Sequence, residues 1–508
     1  MTSPPPLPIR TLGEIPALCG DAGRAAVIDA NSVMSFGQLD RAVSDLVSAL
    51  VSVGVGQGDA VILLLPNGGA FIRAFYALAR IGAVAVPINL QTPPARLHEV
   101  QERARAGFLI THPDTDVDQL GPPANPVAIL RISVGIEERP LVGGELPRTA
   151  SDRDYPSPDP DDPLVLYFSS GTTGKPKGIE LTHAQALRGA ALWSHRWSFG
   201  SDTLTVMAAP FFHVVFLPLV IGAHLAGGAT AVLRRLTPRA VVSEIERVQA
   251  TAVMANPALF IQLLNDRRGS SANLESLVTI IYGAAPTPVE VIKRLQRRFP
   301  ESALFNCYGL TETSSALSCL GPDVPTGREA SVGESHAGVE VSVRDVAGHE
   351  VPAGQPGEIC CRGPNVIRHY YCDARLDAAR FHLDWLRTGD VGFVEENHIY
   401  LLGRCDDIIN VAGEKVYPID IENVLHQDPA VSEAVVRGVA DKTKGQVVTA
   451  WIVARPGEAI DVRALQRRCA AELSPSFVPR AFEVVSELPR NPGGKVVLPQ
   501  VDDASPTG

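Results

Sequence analysis

Helical and strand-like patterns alternate along most of the chain, and this alternation restricts the possible fold more than any other feature. Residues 35–53 have a helical pattern that opens with a capping box, Ser35 followed three residues later by Gln38. The apolar run 60–65 follows as a strand, and 68–81 repeats the helical pattern before another apolar strand. Strands joined through helices pair in parallel and are covered on both faces. The sequence therefore predicts an α/β fold.

The chain is too long for one hydrophobic core. Its 508 residues predict roughly two to four domains. Near residue 403 the strand-like run IYLL gives way to GRCDD, and the remaining hundred or so residues have a βα pattern of their own, which is enough for a domain. We predict an N-terminal domain over residues 1–402, a hinge over 403–407 and a C-terminal domain over 408–508.

Charge and composition exclude several classes of function. The formal net charge of −11 disfavours a nucleic-acid-binding protein, because phosphate binding needs a basic surface. None of the eight cysteines forms a CxxC pair, so we expect no zinc site and a reducing compartment. The longest apolar stretch, 208–226, contains prolines and histidines, so we expect no membrane span. These features predict a cytoplasmic protein.

The segment LVLYFSSGTTGKPKG, residues 164–178, is the most informative motif. An apolar strand leads into small residues and hydroxyls, which allow backbone N–H groups to approach phosphate oxygens, and the lysines supply positive charge. The order differs from the GxxxxGK[ST] phosphate loop. The alternative is a flexible surface loop, which does not account for so many small polar residues beside an apolar strand. The residues predicted to bind nucleotide phosphates are Ser169, Ser170, Gly171, Thr172, Thr173, Gly174, Lys175 and Lys177.

With five further motifs in order, the chain resembles the adenylate-forming superfamily, which includes acyl-CoA synthetases, aryl-CoA ligases, luciferases and peptide-synthetase adenylation domains. The motifs are YGAAP at 282–286, NCYGLTE at 306–312, RTGD at 387–390, GRCDDIINVAGEKVYPIDIE at 403–422 and LPRNPGGKV at 488–496. They extend over nearly the whole chain, so the resemblance is highly specific. It implies a large N-terminal domain of stacked α/β sheets with a small β-barrel, followed by a smaller, mobile C-terminal α/β domain.

The NCYGLTE motif contains residue types suited to a nucleotide. Tyr308 offers a flat ring for adenine, and Asn306 offers an amide that can bond its exocyclic amine. Thr311 can bond a phosphate oxygen, and Glu312 is a hard oxygen ligand for Mg²⁺. Alone, Tyr308 would be read as a core aromatic and Glu312 as a surface acid, but the resemblance favours the nucleotide site. The resemblance also assigns four further residues to that site, Gly283, Ala284, Ala285 and Gly309. The backbone of the first three would pass along the adenine ring.

Two further motifs place charged groups at the nucleotide. The resemblance implies that Asp390 accepts hydrogen bonds from the ribose hydroxyls and that Arg404 reaches the ribose or the phosphates; the alternative is a surface ion pair. Lys495 matches the lysine that contacts the substrate carboxylate and the α-phosphate as pyrophosphate leaves, which is electrostatic stabilisation of the transition state. Gly494 stands where the family usually has a polar residue, and we expect this change to be tolerated.

The resemblance also implies that the C-terminal domain rotates between two half-reactions. Asp406 occupies the hinge position, where a backbone change between rigid bodies is absorbed. Gly413, Glu414 and Lys415 would form the loop that lines the thiol tunnel. The alternative is a static glycine turn in a small domain.

The segment PFFHVVFLPL, residues 210–219, matches the family's segment at the acid. His213 would lie near the carboxylate or gate the tunnel; the alternative is a buried core histidine. The segment has no aspartate for a substrate ammonium, and 210–223 has no Arg or Lys for a second carboxylate, which disfavours amino acids and malonate-type acids. The predicted apolar slot consists of Val214, Val215, Phe216, Ser314, Ser315 and Ala316.

Together these features predict an ATP-dependent and Mg²⁺-dependent acid–thiol ligase. It would activate a fatty or aryl monocarboxylic acid as acyl-AMP, release pyrophosphate and transfer the acyl group to coenzyme A. The alternative acceptor is the phosphopantetheine thiol of an acyl carrier protein, because SPSFVPRAF at 474–482 resembles a stretch of carrier-loading enzymes. An oxidative luciferase-type enzyme has no supporting feature, and an adenylate-binding protein without turnover would be expected to lack Lys495 or Glu312. The sequence leaves the acid, the oligomeric state and the pathway open.

Overall fold

The structure is a computed structural model of the chain. It describes residues 2–30, 32–115, 128–131, 156–170, 176–266, 269, 272–323, 327–441, 443–490, 496 and 498. Within these ranges, no helix is long and apolar enough to cross a membrane. The α-helices described are Ile15–Leu18, Phe36–Ser52, Gly69–Ile81, Pro94–Ala104, His183–Arg196, Gly222–Leu225, Pro238–Val248, Pro257–Asn265, Val289–Arg298, Ala374–Arg380, Pro418–His426 and Val462–Glu472.

The largest sheet has nine strands and a parallel centre. Antiparallel strands flank the parallel ones at both edges. In spatial order the strands are Glu334–Ser335, Ser318–Leu320, Ala303–Tyr308, Thr279–Gly283, Ala252–Ala255, Leu204–Met207, Ala229–Ala231, Ala25–Ile28 and Val33–Ser35. Parallel strands place their carboxyl ends along the same edge of the sheet, which brings the segments that follow Gly283 and Tyr308 next to each other.

A second, six-stranded sheet is parallel apart from its last strand. Its strands in spatial order are Ala128–Arg131, Phe108–Thr111, Ala60–Leu64, Val84–Pro87, Pro163–Ser170 and Pro176–Thr182. The largest hydrophobic core includes buried residues of the helices Phe36–Ser52, Gly69–Ile81 and His183–Arg196 together with residues of both large sheets. The predicted stacked α/β sheets are confirmed.

Two smaller sheets follow. The antiparallel sheet of Glu340–Arg344, Gly357–Arg362, Phe381–His382, Trp385–Glu395 and His398–Arg404 is a half-barrel at the place of the predicted small barrel. The last sheet contains Ile409–Val411, Glu414–Val416, Val431–Asp441, Gly445–Ala454 and Ala481–Val485, and it has a hydrophobic core of its own. The half-barrel ends at Arg404 and the last sheet begins at Ile409, while the exact domain limits stay a prediction.

The last sheet and its helices make polar contacts with helices that pack on the nine-stranded sheet. Asn265 donates a hydrogen bond to the Ser432 hydroxyl over 2.9 Å, and Arg294 donates to the other side of the Asn265 amide over 2.7 Å. His426 is buried beside them. Its burial, together with the positive charges of Arg455 and Arg294, lowers the pKa of His426 to about 4. The contact is therefore made by hydrogen bonds and by a neutral imidazole beside two cations.

Candidate active site

The predicted phosphate loop joins two strands of the six-stranded sheet. The strands Pro163–Ser170 and Pro176–Thr182 are antiparallel, and Ser169 lies opposite Lys177, so both side chains point to the same face. The Ser169 hydroxyl is buried without a hydrogen-bond partner among the described residues. Several predicted residues lie outside the described part of the chain, namely Gly171, Thr172, Thr173, Gly174, Lys175, Lys495 and the side chain of Ser170.

A buried carboxylate lies against this hairpin. The Lys177 ammonium is 2.6 Å from Oε1 of Glu312, and the Tyr370 hydroxyl donates to the same oxygen over 3.0 Å. Glu312 is only 4% exposed. Burial alone would raise the pKa of this carboxyl, but the Lys177 ammonium and the hydrogen bonds outweigh it and hold the pKa below its usual value. The structure therefore brings Lys177 together with a charged Glu312 and with Tyr370, which sequence analysis missed.

The segment that carries Glu312 is fixed by close backbone packing. It follows the strand Ala303–Tyr308, and a Cβ atom at Gly309 would overlap the carbonyl oxygen of Ser315, so only glycine fits there. The Asn365 amide donates to the carbonyl oxygens of Thr313 and Ala316, over 2.7 and 2.6 Å. These contacts hold the turn in one conformation.

The predicted adenine-binding residues lie at neighbouring strand ends. Gly283 pairs with Cys307, and a Cβ atom at Gly283 would overlap the Cys307 carbonyl oxygen. Ala284 and Ala285 are exposed just beyond the strand, with Ala284 at φ +65°. The Asn306 amide is buried and donates to the Ser331 carbonyl oxygen over 3.1 Å. The structure thus places the exposed alanines beside an amide that already has one protein partner.

Tyr308, Asp390 and Arg404 form a hydrogen-bonded cluster on the other side of the same segment. The Tyr308 hydroxyl donates to Oδ2 of Asp390 over 2.7 Å, and the Arg404 guanidinium donates to Oδ1 over 2.8 Å. Burial and the negative charge of Asp390 raise the pKa of the Tyr308 hydroxyl well above its usual value, so it remains a donor. Asp390 and Arg404 are cross-strand partners in the half-barrel. Three motifs that are distant in sequence therefore meet here.

A family model described as AMP-binding enzyme matches residues 19–371, and one described as AMP-binding enzyme C-terminal domain matches residues 420–495. The chain belongs to the AMP-binding enzymes. The predicted adenylate-forming superfamily is confirmed, and this adenylate-forming enzyme is an ATP-dependent, AMP-forming acid–thiol ligase.

Relatives of the adenylate-forming enzyme cover nearly its whole length. It is 31% identical over 481 residues to a feruloyl-CoA synthase from Amycolatopsis sp, covering 94% of this chain and 95% of that protein. It is 29% identical over 494 residues to a fatty acid–[acyl-carrier-protein] ligase from Streptomyces coeruleorubidus, covering 94% and 93%. The crystal structure of an anthranilate CoA ligase in complex with anthranoyl-AMP is similar with a TM-score of 0.87 at 25% identity, covering 97% and 96% of the two chains.

The predicted acyl segment of the enzyme is mostly buried. Burial lowers the pKa of His213, whose Nε2 atom has no hydrogen-bond partner among the described residues. Val214 is buried and Val215 is half-buried. Phe216 is fully buried against an aromatic cluster of Phe71, Phe75 and Phe211. The structure therefore places Phe216 in the core, while the unpartnered atom of His213 can still accept or donate a hydrogen bond.

Three small residues predicted for the acyl slot lie just after Glu312. Ser314 and Ser315 both have left-handed backbone conformations, at φ +50° and +59°. The Ser314 hydroxyl donates to the Asn365 carbonyl oxygen over 2.9 Å, whereas the Ser315 hydroxyl is buried without a partner among the described residues. Ala316 is fully buried. Of the three, Ser315 has the polar group that is still free to bind a ligand.

The predicted hinge and thiol-tunnel residues are exposed. Asp406 lies in a turn after Cys405, whose backbone N–H still donates to the Gly389 carbonyl oxygen over 2.8 Å. Gly413, at φ +92°, forms the turn between two short strands. Lys415 is exposed, and Glu414 accepts a hydrogen bond from Ser476, which lies elsewhere in the C-terminal region. Asp406 and Gly413 thus lie in turns, whereas Glu414 and Lys415 lie in the short strand that follows Gly413.

The environment of Glu312 fits a magnesium ion. Both neighbouring side chains, Lys177 and Tyr370, bind Oε1, which leaves Oε2 free of them. Thr311 is half-buried one residue before, with a hydroxyl that can bind a phosphate or the ion. Mg²⁺ prefers a charged carboxylate oxygen together with phosphate oxygens, and Glu312 is held charged. The donor set is therefore suited to a nucleotide-bound Mg²⁺.

Proposed function

We propose that the enzyme activates a fatty or aryl monocarboxylic acid as its acyl-adenylate, with release of pyrophosphate, and then transfers the acyl group to coenzyme A. The observation that carries this proposal is the buried Glu312 carboxylate 2.6 Å from Lys177, at the end of the hairpin that carries the phosphate loop. A charged carboxylate in a nearly dry position beside a lysine is suited to a nucleotide triphosphate with its metal.

The nucleotide would be held at two places. Ser169, Lys177 and the rest of the loop bind the pyrophosphate part, and Asp390 accepts hydrogen bonds from the ribose hydroxyls. A magnesium ion on Glu312 would offset charge on the phosphates. One rigid segment contacts both places. Tyr308 contacts Asp390, and Glu312, four residues later, contacts Lys177. That rigidity supports in-line attack of the substrate carboxylate on the α-phosphorus.

The substrate proposal follows from the lack of charge in the acyl segment. Residues 210–223 contain no lysine, arginine, aspartate or glutamate, so a second charged group on the acid would have no partner there. His213 and the Ser315 hydroxyl offer hydrogen bonds to an otherwise apolar acid. The feruloyl-CoA synthase and the fatty acid ligase among the relatives agree with this range of acids.

The second candidate acceptor is an acyl carrier protein. The relative that loads a fatty acid onto a carrier protein and the segment 474–482 favour it. The feruloyl-CoA synthase and the anthranilate CoA ligase favour coenzyme A, which remains the first choice. We propose the cytoplasm as the location, where both acceptors and ATP are present.

Pyrophosphate exchange tests the first half-reaction. Purified enzyme with Mg²⁺, ATP, labelled pyrophosphate and single acids from a panel should form labelled ATP only with apolar monocarboxylic acids. The variant Glu312→Gln should lose this exchange, because an amide holds Mg²⁺ weakly. Coenzyme A and a phosphopantetheinylated carrier protein, supplied separately, then identify the acceptor from the thioester formed. If no acid of any class supports exchange, the proposed activity is wrong.

A further inference from the structure

One segment connects the phosphate-loop strand to the residues around Glu312. We call residues 365–371 the strap. The backbone N–H of Ile367 donates to the Glu312 carbonyl oxygen over 2.9 Å. Four residues later, the backbone N–H of Tyr371 donates to the carbonyl oxygen of Gly178 over 3.0 Å, in the strand that carries Lys177. The strap therefore bridges the two large sheets beside Glu312 and Lys177.

Between these two backbone contacts, the strap directs one side chain to Glu312. The Tyr370 hydroxyl donates to Oε1 of Glu312 over 3.0 Å, and its ring lies 5.5 Å from the Lys177 ammonium. Tyr370 is buried, its backbone N–H donates to Asp377 over 2.6 Å, and its ring packs edge-on against Phe381. Its position is thus determined on three sides.

The hydroxyl and the ammonium both bind the same carboxylate oxygen. A carboxylate with both hydrogen bonds on Oε1 cannot rotate freely, and neither Tyr370 nor Lys177 binds Oε2. Groups that orient a metal ligand in this way tune metal affinity without touching the metal. Asn365, at the other end of the strap, binds the backbone on both sides of Ser314 and so stabilises the same turn.

We propose that Tyr370 is a positioning residue that aims Oε2 of Glu312 at the magnesium ion of bound ATP. The inference rests on the proposed function, because it assumes that Mg²⁺–ATP binds at Glu312. Tyr370 would touch neither the ion nor the nucleotide. Its contribution should therefore appear in Mg²⁺-dependent nucleotide binding and be absent from nucleotide binding without metal.

Calorimetric binding of an ATP analogue with a non-cleavable α,β-methylene bridge tests this inference without turnover. Tyr370→Phe retains the ring and removes only the hydroxyl. We expect its Kd for the analogue to rise about tenfold or more in the presence of Mg²⁺ and to match that of the wild type in EDTA. Tyr371→Phe is the matched control, since the same atom is removed from the next residue, whose strap contact is made by its backbone. It should bind like the wild type under both conditions.

The outcomes separate the inference from the proposed function. If the wild type binds the analogue no better with Mg²⁺ than without it, the metal role of Glu312 is wrong, and with it the basis of the inference. If the wild type shows the Mg²⁺ effect and Tyr370→Phe retains it in full, or loses binding equally in EDTA, Tyr370 has no positioning role. Melting temperatures show whether the variant is folded. Should it not fold, Asp377→Asn, which weakens the support of the Tyr370 backbone, must show a smaller Mg²⁺-specific loss for the inference to hold.

Discussion

At the scale of single residues, burial keeps His224 uncharged at neutral pH, and its hydrogen bonds suit the neutral ring. Its Nε2 atom lies 2.9 Å from the Ala26 carbonyl oxygen, which can only accept, so Nε2 carries the proton. Its Nδ1 atom then accepts a hydrogen bond from the Tyr76 hydroxyl over 2.9 Å. The side chain is fully buried, and this burial lowers the pKa of His224 to about 4. Burial also lowers the pKa values of four further histidines among the described residues, namely His183, His213, His336 and His426.

Because of these buried histidines, we expect the free energy of unfolding to fall in mild acid. In the unfolded chain a histidine has a pKa of about 6.5, whereas in the folded chain the pKa of His224 is about 4. The contribution of the buried, neutral ring to the free energy of unfolding is therefore complete above about pH 6.5 and is lost as the pH falls towards 4. For His224 alone it is on the order of 3 kcal/mol. Urea unfolding at about pH 7.5, 6 and 5 should show the decrease.

The variant His224→Gln should make the dependence of stability on pH less steep, whatever its own effect on stability. The exposed residue His349 gives the matched control, since His349→Gln removes an imidazole that is in water in both states. An unchanged pH dependence in His224→Gln would contradict the assignment of this effect to burial.

Sequence motifs supplied several of the residues that the structure brings together at the candidate site, but not Tyr370. Glu312, Lys177 and Asp390 lie in motifs whose residue types indicate nucleotide chemistry, and the structure brings each together with a partner. Tyr370 lies outside those motifs, next to a second tyrosine. Only the course of the strap decides which of the two reaches Glu312, and that depends on contacts between segments distant in sequence.

At the scale of elements, local chemistry predicted helix starts well. The predicted capping box at Ser35 is present, because a hydroxyl and a glutamine three residues later satisfy free backbone groups without help from the rest of the fold. Thr182 and Gln185 form a second capping box of the same kind. The strand Pro176–Thr182 was not anticipated. It forms by pairing with Pro163–Ser170 across the loop, and such pairing between strands is not encoded in its own seven residues.

The turn that carries Glu312 is an element that depends on one glycine. In Gly309→Ala the new Cβ would overlap a backbone oxygen, which cannot move aside as a flexible side chain could. We expect a loss of about 2 kcal/mol or more of unfolding free energy, measured in urea, and loss of acid-dependent pyrophosphate exchange because Glu312 shifts. Gly107→Ala is the control: a Cβ there meets no atom within 4 Å, and it should leave both measurements unchanged. A Gly309→Ala variant with wild-type stability would show that the turn can relax.

At the scale of the whole molecule, different residues of the C-terminal domain would serve the two half-reactions if the predicted domain rotation occurs. Lys495 would act only in adenylation. We therefore expect Lys495→Ala to abolish acid-dependent pyrophosphate exchange and to retain most thioester formation from a supplied acyl-adenylate, measured by chromatography of the thioester. The exposed Lys415 provides the opposite case: Lys415→Ala should spare exchange and reduce thioester formation. Equal loss of both steps in Lys495→Ala would contradict the division.

The pairing of Asp390 with Arg404 has a consequence for the predicted rotation of the C-terminal domain between the two half-reactions. If ribose hydroxyls bind Asp390, they share its oxygens with Arg404, whose guanidinium also donates to the Thr388 carbonyl oxygen over 3.1 Å. Arg404 stands two residues before Asp406, the predicted hinge, so a change in the Asp390–Arg404 pair would act next to that hinge. If the predicted domain rotation occurs, nucleotide binding and domain movement would both depend on the Asp390–Arg404 pair.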